Sequence, residues 1–396
     1  MRKLIALLLP ILLLAAGCNS SPPEEDLGDT YQMGIDHQYF FSPLYTTICE
    51  SEDSYYWMRG GNSGYLYMKD KKTGETTALC NKPDCLHDKE ADDSRESDCN
   101  AYYPTCQGIA YSQGKIYVLS SAGGEDINRK YAVIYEVDTS GSARKEFYRS
   151  EKQISTFIVH RGYLYLSFSD FVRDFEDYEN NPELMEGCKC EVIRIRLDNP
   201  SQEPEVVWEE TEKPCQINMM SAYGNQVYLQ VTANDMPGFQ VYDIQTKSIS
   251  IPETEVGSFT VPVVNHHLLL FNVGESTSRK VYETDLKGNI EKEVSLSGTA
   301  LVYGNEEYII CDNEMDVRYG RIESKDRAIQ IYDKEYQLLK EFNLGNDMLP
   351  GIGMDEQYYF YLKSTGEEGY DIWAIDLTRL DEENLQGELF LPISSY

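Results

Sequence analysis

A short strand pattern returns seven times along the 396 residues, and this recurrence limits the possible folds more than any other feature. Each copy is a turn-like stretch followed by apolar residues with an aromatic or aliphatic centre. The clearest copies are Gly114-Lys115-Ile116-Tyr117-Val118, Gly162-Tyr163-Leu164-Tyr165-Leu166 and Asn225-Gln226-Val227-Tyr228-Leu229. Weaker ones are Asp53 to Trp57, His266 to Leu270, Glu306 to Ile310 and Glu356 to Phe360. A second strand follows each copy and ends at or near an aspartate: Asp70, Asp138, Asp198, Asp243, Asp285, Asp333 and Asp376. Aspartate there can bond its own backbone, and glycines such as Gly74, Gly141 and Gly288 accept the positive φ of a tight turn. A third strand comes after the turn, and another short strand precedes each tyrosine motif. Tyr228 and Leu269, then Leu269 and Tyr308, stand 41 and 39 residues apart. Four strands at an interval near 40 residues is the signature of a propeller blade. The pattern predicts an all-β, seven-bladed β-propeller of four-stranded antiparallel blades. A pair of β-sandwiches, or six blades with one repeat misread, are the competing architectures. Helical periodicity is nearly absent, a turn or two around Pro182 to Met185 being the best candidate.

The N-terminus reads as an address. Met1-Arg2-Lys3 precedes an apolar run from Leu4 to Leu14, too short to span a bilayer comfortably, and small residues lead to Cys18. Leu14-Ala15-Ala16-Gly17-Cys18 resembles a bacterial lipobox, although leucine more often stands one position nearer the cysteine. That resemblance implies a signal peptide over 1–17 and a lipid on Cys18, with burial of acyl methylenes holding the chain to a membrane. The competing reading is an ordinary cleaved signal with a chance cysteine. Residues 18–35 then read as a polar tether, and 36–396 as a single propeller domain. The expected location is extracytoplasmic and lipid-anchored.

Charge narrows the partners. With 35 Lys+Arg against 67 Asp+Glu the formal charge is −32. Such a surface repels phosphate backbones, so nucleic acid is excluded as a direct partner, and a cell-envelope protein or a glycan fits better. Thirty-one tyrosines among many β-branched residues argue for sheet despite the acidity.

If the blade strands are lettered A to D from the channel outward, A–B and C–D connections open on one face. B–C and D–A connections open on the other. The long connections all belong to the second face: a Cys-rich insertion over 80–106 and an acidic, aromatic insertion over 169–190. Asp312 to Arg327, Gly123 to Lys130 and Ser364 to Tyr370 join them. Long loops on a rigid scaffold commonly carry binding. Phe171, Asp174, Phe175, Asp177 and Tyr178, with Tyr102 and Tyr103, are the binding-face candidates.

Cys18 aside, nine cysteines remain. Cys80, Cys85, Cys99 and Cys106 share one insertion, and Cys188, Cys190 and Cys215 are expected close together on the same face. Outside the cytosol, disulfides are the default reading. The alternative is a metal bound by His87 with thiolates from among Cys80, Cys85, Cys99 and Cys106, the set Cys80, Cys85, His87 and Cys99 foremost, since zinc accepts three thiolates and an imidazole. Cys49 and Cys311 lie in strand-like runs and are expected to be buried. The stretch Cys80-Asn81-Lys82-Pro83-Asp84-Cys85-Leu86-His87, with Cys99-Asn100 after it, resembles a segment of uncharacterised propeller lipoproteins of gut-type bacteria. More broadly, the repeat resembles TolB-like and WD-repeat-like propellers. The resemblance implies a family and no activity.

Catalytic signals are thin. No nucleophile elbow, zinc-protease helix, phosphate loop or nicotinamide fingerprint is present, and no cofactor is expected. His266 and His267 open an apolar strand and read as turn and edge residues. The sequence therefore favours a membrane-anchored binding or scaffold module for an envelope protein or glycan. The alternative is a glycan-active propeller enzyme with paired carboxylates at the mouth of the central channel.

Overall fold

In the computed structural model, the described residues are 26–41, 47–58, 64–87, 98–123, 130–169, 190–211, 215–233, 236–252, 262–271, 281–296, 301–313, 328–343, 348–365 and 370–392. They form seven four-stranded antiparallel sheets, each made of strands consecutive in the chain but for one short strand inside the first. All seven tyrosine-type motifs lie on strand B of successive blades.

Blade 3 shows why the sequence folds this way. Its strands are Ile154–His160, Tyr163–Ser169, Cys190–Arg196 and Glu205–Glu210. Strand B is buried on both faces from Tyr163 to Phe168, because neighbouring blades cover both of its sides. Strand D alternates between half-buried and exposed residues, as expected at the rim of the disc. The A–B hairpins of blades 2, 3 and 5 turn at Gln113-Gly114, Arg161-Gly162 and Asn265-His266, with positive φ at both residues of each pair. That is the twist-matched two-residue hairpin. Blades 6 and 7 use another device: Asn305 Oδ1 accepts from the N–H groups of Glu307 and Tyr308, and Asp355 Oδ1 from those of Gln357 and Tyr358. The aspartates ending strand C act as expected. Asp70, Asp138, Asp243, Asp285, Asp333 and Asp376 each accept a backbone N–H two to four residues on. Asp198 instead takes the Arg196 guanidinium, at 2.7 and 2.8 Å.

The ring closes without a shared blade. Blade 1 runs from Ile48–Glu50 to Thr76–Ala78, and blade 7 from Met348–Met354 to Glu388–Leu391, so each belongs wholly to one end of the chain. Side chains hold the seam. Tyr55 Oη donates to Asp355 at 2.7 Å, Lys69 Nζ donates to the Phe390 carbonyl at 2.6 Å, and the Tyr55 and Phe390 rings meet edge to face. Residues 26–41 lie across this closure. Among the described residues the regular helical content is a 3-10 turn at Leu377–Arg379, capped by Asp376. Pro182 to Met185 lie outside the described residues.

Candidate functional site

The two faces of the disc are built differently. On the A–B face the chain's own N-terminal stretch is strapped across the turns. Gln113 N–H donates to the Gly34 carbonyl at 2.6 Å and Arg161 N–H to the Ile35 carbonyl at 2.8 Å. Asn225 N–H donates to Asp29 at 3.2 Å, and Met354 N–H donates to the Phe40 carbonyl at 3.0 Å. Gln38 exchanges two hydrogen bonds with the backbone of Glu50. The strap therefore bonds blades 1, 2, 3, 4 and 7, and spans the seam between the last and the first. Tyr39, Phe40 and Phe41 are buried, with Tyr39 edge-on to Tyr223 at 5.1 Å and Phe41 against Phe360. Gly353 meets it at φ +135°, where a Cβ would stand 2.6 Å from the Phe41 Cα. Only glycine allows that approach.

Most polar groups under the strap bond one another, although His37 Nε2 is buried without a hydrogen-bond partner. Arg161 Nε donates to Asp36 at 2.9 Å, and its guanidinium also reaches Asn225 and the Thr30 carbonyl. His160 Nδ1 accepts from His37 N–H at 3.0 Å, so Nε2 carries the proton and donates to the Gly224 carbonyl at 2.8 Å. Burial pushes both imidazoles down to about 3, helped at His37 by His160 and at His160 by Arg161. Burial, then the neighbouring Asp355 charge, pushes Glu50 up to about 7, against the pull of Lys71 at 2.6 Å. Burial also raises Asp355, which accepts from Tyr55 and two backbone N–H groups. Glu50 and Asp355 are both buried and bonded to their own chain, Glu50 to Lys71 and Asp355 to Tyr55.

The B–C/D–A face carries the insertions. Gly64–Tyr65, in the B–C connection of blade 1, pairs antiparallel with Tyr102–Tyr103 of the Cys-rich insertion. This corrects one expectation. Tyr102 and Tyr103 are buried, at 6% and 0% exposure, rather than displayed for binding. The short strand turns both rings inward, onto Tyr65 and Tyr135. Phe171, Asp174, Phe175, Asp177, Tyr178, Cys18 and Cys188 lie outside the described residues, as do the signal segment and most of the long B–C connections.

Among the described residues, none of the eight cysteines is joined in a disulfide. The insertion divides its four. Cys106 is buried with Cys49, Tyr103 and Ile109 between blades 1 and 2, where burial lifts its thiol to about 12. Cys80, Cys85 and Cys99 instead converge with His87, each offering one ligand atom, all within 4.8 Å of one another. Cys80 follows strand D of blade 1, with Cys80 N–H bonded to the Ala78 carbonyl, and Cys99 stands just before the Tyr102–Tyr103 strand. Burial alone would raise the Cys80 thiol. The N–H groups of Lys82 and Asn100, the His87 ring and Cys85 outweigh it and bring it down to about 6. His87 takes φ +53°, and its Nε2 is buried with no hydrogen-bond partner. Gly141 backs the cluster: its carbonyl accepts from Asn81 N–H and Asn100 Nδ2, and a Cβ there would come within 2.9 Å of Cys80 N. Cys190 and Cys215 meet in blades 3 and 4, the Cys190 thiol facing the Cys215 carbonyl at 2.5 Å. Cys311 is buried in blade 6. His266 holds a turn position at φ +62° and bonds Tyr223 Oη at 2.8 Å, while His267 pairs with Glu291 at 3.1 Å on the rim.

No family model matches the chain, and no curated protein matches it. Solved structures do. An oligogalacturonate lyase from Vibrio parahaemolyticus aligns over 89% of this chain and 92% of its own, at TM-score 0.54 and 12% identity. An acylaminoacyl peptidase from Pyrococcus horikoshii aligns over 90% of this chain at TM-score 0.52 and 11% identity. Dipeptidyl peptidase 4 from Porphyromonas gingivalis aligns over 89%, at TM-score 0.49 and 9% identity. The chain spans 54% and 61% of those two peptidases. At such identities the likenesses to the lyase and the acylaminoacyl peptidase support the propeller fold and nothing of activity.

The strap was missed by sequence reasoning, which divided it at residue 35 between tether and domain. The signal available was His37-Gln38-Tyr39-Phe40-Phe41, a run too aromatic for a solvated linker.

Proposed function

We propose that this chain is a lipid-anchored, extracytoplasmic binding or scaffold propeller. It stands with its strapped A–B face toward the membrane and offers its B–C/D–A face to a cell-envelope protein or glycan. The strap carries this reading. It fills the A–B mouth with the chain's own residues, and it starts at Asp26, eight positions after Cys18. Eight residues fully extended reach at most about 29 Å. An acyl group on Cys18 would thus keep the A–B face within that distance of the bilayer and leave the insertions pointing outward.

Two crosslinking positions and one substitution test the reading in cells. A photo-crosslinking residue at Leu86, 87% exposed in the Cys-rich insertion, should capture an envelope component. One at Lys287, in the C–D turn of blade 5 on the opposite face, should not. Cys18→Ala should release the protein from the membrane fraction. Capture from Lys287 alone, or unchanged membrane retention of Cys18→Ala, would overturn it.

A further inference from the structure

The geometry points to a structural zinc site formed by Cys80, Cys85, His87 and Cys99, a metal staple that fixes the Cys-rich insertion to the outer edge of blade 1. Zinc takes thiolate and imidazole ligands tetrahedrally, and with Zn–S of about 2.3 Å the sulfurs of such a site stand about 3.8 Å apart. The four ligand atoms already lie within 4.8 Å of one another, so small side-chain rotations close the shell.

Three further observations favour a metal over disulfides here. Three thiols meet at one point, and one disulfide among them leaves the third thiol and the imidazole with nothing to do. The His87 Nε2 atom is buried without a hydrogen-bond partner, a costly arrangement for a polar atom that a metal bond would relieve. The Gly141 carbonyl accepts from Asn81 N–H and Asn100 Nδ2, the residues next to Cys80 and Cys99, the kind of outer-shell bonding that orients metal ligands. Four protein ligands leave no open coordination position, which assigns the site to structure rather than catalysis. Metal binding would supply part of the insertion's folding free energy.

The test uses the full-length protein. Elemental analysis should find one zinc per chain, and a mercurial thiol reagent should release it. After chelation, cobalt(II) should restore binding with the intense thiolate-to-metal absorption of a tetrahedral site. His87→Ala should weaken zinc at least tenfold in competition with a chromogenic chelator, whereas Cys106→Ser should retain the metal. Should a ligand variant fail to fold, the wild-type protein still decides: chelation should lower its unfolding temperature, and zinc but not magnesium should restore it. A metal-free protein with two of these three cysteines oxidised would overturn the assignment. So would three free thiols that take up neither zinc nor cobalt.

Discussion

The strapped channel mouth and the Cys-rich insertion solve the same problem, holding irregular chain onto a propeller, with opposite chemistry. Under the strap, fixation comes from three adjacent aromatic residues, a buried Arg161–Asp36 pair, backbone bonds to blades 2, 3 and 7, and side-chain bonds from Gln38 and Asp29 to the backbone of blades 1 and 4. In the insertion, residues 79–87 and 98–101 are gathered by a small cluster of sulfur and imidazole, with Gly141 behind it. The first arrangement draws its stability from burial and is spread over the ring. The second is local, and its loss should leave the rest of the disc intact. A segment that must bridge the ring's only chain seam needs the distributed kind.

The largest effects should come from emptying the strap. Phe40→Ala and Phe41→Ala together should cost on the order of 5 kcal/mol or more, read as a fall in the denaturation midpoint. A loss below about 1 kcal/mol would mean that the strap is not part of the folded core. Arg161→Ala comes next, at about 3–5 kcal/mol, because it abandons the fully buried Asp36 carboxylate. Arg161→Ala combined with Asp36→Asn should recover part of that loss.

Acid probes the strap more gently. His37 and His160 have folded pKa values depressed to about 3, below an unfolded value of about 6.5. Their contribution is therefore complete above pH 6.5 and lost as pH falls toward 3. By pH 4.5 that loss is about 2–3 kcal/mol per ring. Glu50 works in the other direction. With its folded pKa raised to about 7, its contribution is complete below pH 4.5 and lost as pH rises through 7. Ring chemical shifts separate the two, and both imidazoles should remain neutral at pH 5. Protonation of His160 by pH 6 would show the His37–His160 bond to be absent. The smallest effect belongs to the insertion's surface: Lys82→Ala removes a partly exposed pair with Asp98 at 3.4 Å and should change global stability by less than about 0.5 kcal/mol.

How much was legible in the sequence follows from the range of the interactions. Blade strands announce themselves because hairpin chemistry is local. The Asp70 and Asp285 turns bond within four residues, and strand B of each blade carries its burial in its own composition. The strap could not be read in the same way, since Asp29 meets Asn225 and Phe40 meets Met354 only after the ring has closed. The cysteine insertion lies between these cases. The sequence named Cys80, Cys85, His87 and Cys99 as one possible set, but not that Cys106 would leave them for the apolar space beside Cys49. Tyr102 and Tyr103 were misplaced because an insertion suggests a surface, and their pairing with Gly64–Tyr65 is decided by tertiary contact.

The central claim is that the N-terminal stretch is a strap bonded across the A–B mouth. Amide hydrogen exchange on the full-length protein tests it most directly, at the N–H groups of Gln113, Arg161 and Met354, which donate to Gly34, Ile35 and Phe40. These three amides should be protected to nearly the same degree as strand B of their own blades, and deletion of residues 26–41 should abolish that protection. Exchange at the rate of open hairpin turns in the intact chain would contradict the strap, and with it the orientation proposed for the disc.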